Sequence, residues 1–164
     1  MSEANGSSGG DRTADPRGMI RLLLLLTPLL LAAAPEGLVV RPSPYDFATL
    51  VDRTKDAVAA GGLVVVGEAS ASRVASGRGV SIPGDAVLMV FNNVFAVRML
   101  AASQAAGVEA PLHLHIMQTQ DGHAAVGYRL PSSVFRPYGS PALDALAAEL
   151  DGVFAGIAAA AVRP

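Results

Sequence analysis

The stretch "PLHLHIMQTQDGHAAVGYRL", residues 111–130, carries the side chains best suited to chemistry. In it His113, His115 and Met117 alternate with Leu114 and Ile116. On a β-strand alternate residues share a face, so two imidazoles and a thioether would project together. Imidazole suits copper, zinc, nickel and iron, while a thioether favours copper(I) or an axial position on haem. Alternate side chains stand about 7 Å apart along a strand. Two such histidines therefore converge on one metal only by leaning inward or with help from a second chain. The set His113, His115, Met117 is a candidate copper or haem site whose spacing permits ligation without requiring it. The competing expectation is that His113 and His115 are half-buried residues covered at an interface. His123 sits beside the turn, in solvent.

The rest of the composition narrows the chemistry further. The 164 residues hold no cysteine and three histidines. Disulfides, zinc–thiolate sites, iron–sulfur clusters and thiol nucleophiles are thereby excluded. Apolar residues make up 51% and charged ones 16%, enough for a substantial core. A net charge of -2 without a basic cluster leaves no footprint for nucleic acid. Asp46, Asp52 and Asp56 read as a cap or as solvated positions of a helix. Ser70, Ser72 and Ser76 lie in a small-residue stretch with no histidine nearby in sequence. No G-x-S-x-G, H-E-x-x-H or phosphate-binding glycine loop occurs, so the sequence offers no catalytic constellation.

Three segments follow one another along the chain. Residues 1–18, rich in Gly, Ser and polar side chains, are expected to be a disordered extension, and Met19 is an alternative start. Residues 19–34 hold an apolar run from Leu22 to Leu31 and Ala32-Ala33-Ala34, with Arg21 and, just before the segment, Arg17 forming a short basic region. That is the layout of a secretory signal. The 13 residues from Leu22 to Ala34 fall short of a membrane span, which needs roughly 20, and Pro28 interrupts them. Pro35 after the small residues is unfavourable for cleavage, so an uncleaved N-terminal anchor stands beside a periplasmic or secreted destination. Residues 37–164 form the globular domain.

Within that domain, "GLVVRPS" predicts a first strand. Ser43-Pro44-Tyr45-Asp46 predicts a helix start, with a serine cap and proline at the first helical position. Phe47, Leu50, Val51, Thr54 and Val58 continue it to Gly61-Gly62. "LVVV" (63–66) and "DAVLMVF" (85–91) predict two more strands, joined by a connector with at most one turn of helix. Asn92-Asn93 caps a helix to about Ala106, and residues 112–120 and 123–130 form a hairpin about Asp121-Gly122. Ser140-Pro141 opens a terminal helix with Leu143, Leu146, Ala147, Leu150, Phe154, Ile157 and Ala161 inward. The order β-α-β-β-α-β-β-α argues an α+β fold, an antiparallel sheet with helices on one face.

A two-residue turn at Asp121-Gly122 would set Met117 against Val126, His115 against Tyr128 and His113 against Leu130. Tyr128 then joins the histidine face as a ligand-binding candidate. In that register neither sheet face is polar. Either a bulge shifts the register by one residue, or both faces are covered, one by helices and one by a second subunit or a ligand.

The segments "SPYDFATLVDRTKDAVAAGG", "VLMVFNN", "AVRMLAASQAAGVEAPL" and "DGHAAVGYRLPSSVF" resemble domain-of-unknown-function family 302 over roughly residues 38–160. The part from "AVRMLAAS" through "APL" to "DG" is closer to an exported bacterial subgroup. The resemblance implies a TATA-binding-protein-like α+β fold and a small homodimeric domain, many relatives being bacterial envelope proteins. It implies no DNA binding. Many members carry an Asp-His or Asn-His pair after the second strand, where this chain has Glu68-Ala69-Ser70. Many also have a Phe-Gly-Asn-Pro turn where this chain has Phe91-Asn92-Asn93-Val94. The leading expectation is an exported ligand-binding envelope module, with haem or copper on the 113–117 strand. A purely structural, homodimerising domain without ligand is the alternative, and a hydrolytic enzyme is the remote third.

Overall fold

A computed structural model of the chain describes residues 35–164. The expected extension and the signal or anchor, residues 1–34, lie outside the described residues. Five strands, β1 (Leu38–Pro42), β2 (Val64–Ala69), β3 (Asp85–Phe91), β4 (Leu112–Gln118) and β5 (Ala124–Arg129), form one sheet. Its spatial order is β1-β5-β4-β3-β2, and every neighbouring pair is antiparallel. The helices are α1 (Phe47–Ala60), α2 (Ala71–Ser76), α3 (Asn93–Ala102), α4 (Pro131–Phe135) and α5 (Pro141–Val162). A 3-10 turn at Gln104–Glu109 follows α3. The fold is α+β as expected, with the short helices α2 and α4 added to the expected order.

Local chemistry explains most boundaries. The Asn92 side chain accepts from the N–H groups of Val94 and Phe95 and opens α3. Ser140 caps α5, whose first position is Pro141. The connector after β2 holds a real helix because the Ser70 hydroxyl accepts from Arg73 N–H and caps α2. The start of α1 differs from expectation: Asp46, rather than Ser43, is its cap, accepting from Thr49 N–H at 2.8 Å. Ser43 is committed elsewhere. Its N–H and its hydroxyl both donate to Ala124 O, and Ala124 N–H donates to Tyr45 O. The chain therefore stays extended along β5 until Tyr45.

Helices α1 and α5 cover one sheet face. Leu88, Val90, Leu114, Ile116 and Val126 from the strands meet Leu50 and Val58 of α1 and Phe154 and Ile157 of α5, all buried. A second cluster joins Met99 of α3 and Phe135 of α4 to Leu143, Leu146 and Leu150 of α5. All seven residues expected to face inward on α5 are buried. The C-terminal carbonyls of α5 are capped from outside it: Arg53 donates from Nε to Ala161 O at 2.8 Å and from a terminal nitrogen to Arg163 O at 2.6 Å. A cation at that end also complements the helix dipole.

The hairpin corrects the expected register. Gly122 N–H donates to Thr119 O, Gly122 takes φ +86, and Gln118 pairs with Ala124. Gly122 thus occupies the left-handed position of a loop one residue longer than the two-residue turn. The pairs are His115 with Gly127, Ile116 with Val126, and Met117 with Ala125. One face of the hairpin becomes Leu114, Ile116, Ala124, Val126 and Tyr128, all buried, and the ambiguity between its faces disappears.

Two stability measurements follow. Phe154→Ala empties a fully buried ring position and should cost about 3–5 kcal/mol in denaturant unfolding. A cost below about 1 kcal/mol would place the ring outside the cooperative core. Glu68, on β2, is paired with Lys55 at 2.8 Å and with Arg73. The Lys55 hydrogen bond foremost, and that of Arg73 after it, hold its carboxyl below the ordinary 4.5, against the opposing effect of burial. A carboxyl lowered in the folded state stabilises above its unfolded value and loses that contribution as pH falls through the folded one. Relative to Glu68→Gln, the native chain should gain on the order of 1 kcal/mol or less at pH 7. The gain should shrink below about pH 4.5.

Candidate functional site

The sheet face opposite α1 and α5 collects the side chains that alternate away from the core. From β1 these are Leu38 and Val40; from β2, Val64, with Val66 in the bulge between Val65 and Gly67. From β3 they are Asp85, Val87, Met89 and Phe91, each half-buried. The middle strands add His113, His115 and Met117, facing Gly127 and Ala125. An antiparallel sheet with one solvated face ordinarily alternates apolar inward with polar outward. Here the outward set is mostly apolar, with Leu38 41%, Val40 47%, Val64 57% and Val66 54% exposed.

Two glycines shape this surface. A Cβ on Gly67 would stand 2.5 Å from Cε of Met89, and one on Gly127 would stand 2.9 Å from Cε of Met117. Each thioether side chain therefore lies across a neighbouring strand, Met89 over β2 and Met117 over β5. Between them His115 Nε2 meets Asp85 Oδ2 at 2.6 Å. Asp85 is itself held firmly: Ser70 donates its hydroxyl to Asp85 O at 2.7 Å, and Asp85 N–H donates to the Ser72 hydroxyl at 3.1 Å. Ser70, the cap of α2, and Ser72, within it, thus fix the backbone of the residue whose carboxylate orients His115.

The structure places His113, His115 and Met117 on one strand and one face, each with its own neighbours. His115 turns to Asp85, Met117 lies over Gly127, and His113 borders a cleft beside Glu109 and Arg129. Among the described residues no three His, Asp or Glu side chains gather as metal ligands. His115 has a feature of metal-bearing imidazoles, a carboxylate partner on one ring nitrogen.

Tyr128 does not belong to this face, which corrects the expectation built on the two-residue turn. The one-residue shift turns it into the core, where it is 4% exposed with its ring 5.6 Å from that of Phe154. Burial raises the pKa of its hydroxyl above the ordinary value. Asp85, the partner of His115, escapes inspection of the sequence, since only the pairing of β3 with β4 brings residues thirty apart together. The one local sign was an acid at the first position of an otherwise apolar strand.

A crystal structure of an uncharacterized conserved DUF302 protein from Bacillus stearothermophilus is similar in fold, with a TM-score of 0.71 and 19% identity. The match covers 79% of this chain and all of that one. None of the curated proteins matches the chain. The family model "Domain of unknown function DUF302" matches residues 39–161, from the first strand to the end of α5, and the chain belongs to that family.

Proposed function

We propose that the chain is an exported, non-catalytic module whose open sheet face joins two copies of it. The observation that carries this reading is the apolar character of a whole sheet face that the described helices leave uncovered. Five strands about 4.8 Å apart and six residues long outline a footprint of about 500 Å² before side-chain relief is counted. That approaches the scale of a stable interface, roughly 800 Å² per partner. Sheets pack face to face about 10 Å apart, and in a two-fold dimer the same patch meets itself. Met89 and Met117 lying flat across the face suit such packing, because thioethers adapt to irregular gaps. The His115–Asp85 pair would enter the interface already hydrogen-bonded.

In sedimentation velocity the protein should behave as a dimer. Val64→Asp combined with Val66→Asp should give a monomer with unchanged helix content, because both side chains are exposed and not part of the core. A native chain that remains monomeric at the highest attainable concentration defeats the interface. The ligand-binding reading, copper(I) or haem held by His115 with His113 and Met117, is supported only by the Asp85 partner. Stoichiometric uptake by the native protein that is lost in His113→Ala/His115→Ala would put that reading in place of the interface.

Export rests on the basic, apolar and small-residue pattern of residues 17–34. A fusion running from Met19 to Ser43 should carry a reporter across the bacterial inner membrane. Cytosolic retention of the reporter would refute that part of the proposal.

A further inference from the structure

Past the ends of β4 and β5, beyond the apolar middle of the open face, lies a cleft of about 390 Å³. That volume falls within the range of small-molecule sites, about 300–1,000 Å³. Val108, Pro111, Leu112 and Val134 give it apolar walls, and His113, Arg129 and Glu109 supply its polar groups. Among the described residues Arg129 makes no ion pair or side-chain hydrogen bond. Its guanidinium is a permanent positive charge with a planar fork of donors that matches a carboxylate. Glu109 is already engaged, accepting from the Tyr138 hydroxyl at 2.8 Å, and does not neutralise Arg129 by direct contact. Val108, on the lip, is 80% exposed, the most exposed large apolar side chain among the described residues.

We propose that this cleft binds a small organic monocarboxylate with an apolar body, the carboxylate on Arg129 and His113 and the body against Val108, Pro111 and Val134. The charges set the class. Arg129 repels a metal cation, and the Glu109 carboxylate in the same cleft penalises a dianion such as a phosphate monoester more than a single negative charge. One arginine is too little for a polyanion. The site goes beyond the interface proposed above and does not depend on it, because the cleft is walled by the 3-10 turn and α4 of one chain.

Phenylacetate, its neutral amide phenylacetamide, and phenyl phosphate separate the outcomes when titrated into the full protein by NMR. Phenylacetate should shift the amides of Val108, His113 and Val134. It should bind about ten-fold or more tightly than the amide, the scale of one charge-assisted pair. Arg129→Gln should lose that advantage with helix content unchanged, and Val108→Glu, a second exposed position, should weaken phenylacetate binding. Equal affinity for acid and amide, or for native protein and Arg129→Gln, overturns the site. Tighter binding of phenyl phosphate than of phenylacetate overturns the monocarboxylate class. A double substitution at Val64 and Val66 that abolishes dimerisation should leave phenylacetate binding intact, which keeps the two proposals separately testable.

Discussion

Sliding β5 by one residue against β4 would exchange the two faces of β5, at the centre of the sheet, and leave those of β4 in place. The loop through Gly122, with its positive φ, fixes that register. In the observed setting Leu114, Ile116, Val126 and Tyr128 all point to the helices, and His113, His115 and Met117 all point away. Both layers of the molecule depend on this one choice. The core needs Tyr128 against Phe154, and the open face needs Gly127 beneath Met117. A side chain at Gly122 would need the left-handed region that L-residues rarely adopt, so the loop and the sheet faces are tied together.

Helix α5 holds the remaining elements to that sheet. Its early turns pack with α3 and α4 and its later turns with α1 and the strands, so it belongs to both apolar clusters. By length and composition it is apolar enough to cross a membrane. Its stripe from Leu143 to Ala161 is instead filled by the core of this domain. The link through Arg53 and Tyr45, whose ring lies 4.3 Å beneath the guanidinium, secures the last carbonyls. The helix end is therefore coupled to the same extended segment that carries Ser43 along β5.

Features set by neighbours in the chain were legible from the residues: the caps of α3 and α5, the inward stripe of α5, the strand at 85–91. Those set by partners far away were not. Ser43-Pro44 has the local form of a helix cap, but a hydrogen bond to Ala124, eighty-one residues on, outweighs it. Asp121-Gly122 suits a hairpin loop of either length, so the dipeptide locates the turn without deciding the register. Tyr128 was misplaced for that reason alone. The His115–Asp85 pair needs β3 beside β4, and the cleft around Arg129 needs the 3-10 turn, β4, β5 and α4 together. Neither leaves a periodic pattern.

The polar groups of the open face have a different consequence from its valines and methionines. Apolar sheet surfaces attract each other without specifying a relative orientation, because burial is non-directional. The Asp85–His115 pair lies at one end of the face and Arg129 with His113 at the other, since β3 and β5 both run antiparallel to β4. Asp85 brings a carboxylate to the first end, and Arg129 brings a guanidinium to the second, with the Glu109 carboxylate beyond it in the cleft. Two faces related by a two-fold axis would place unlike ends together in one orientation and like ends together in the other. The disfavoured orientation would bring like charges together, a cost the valines do not impose. Charged ends on an apolar face would thus select one packing from many that are equally greasy.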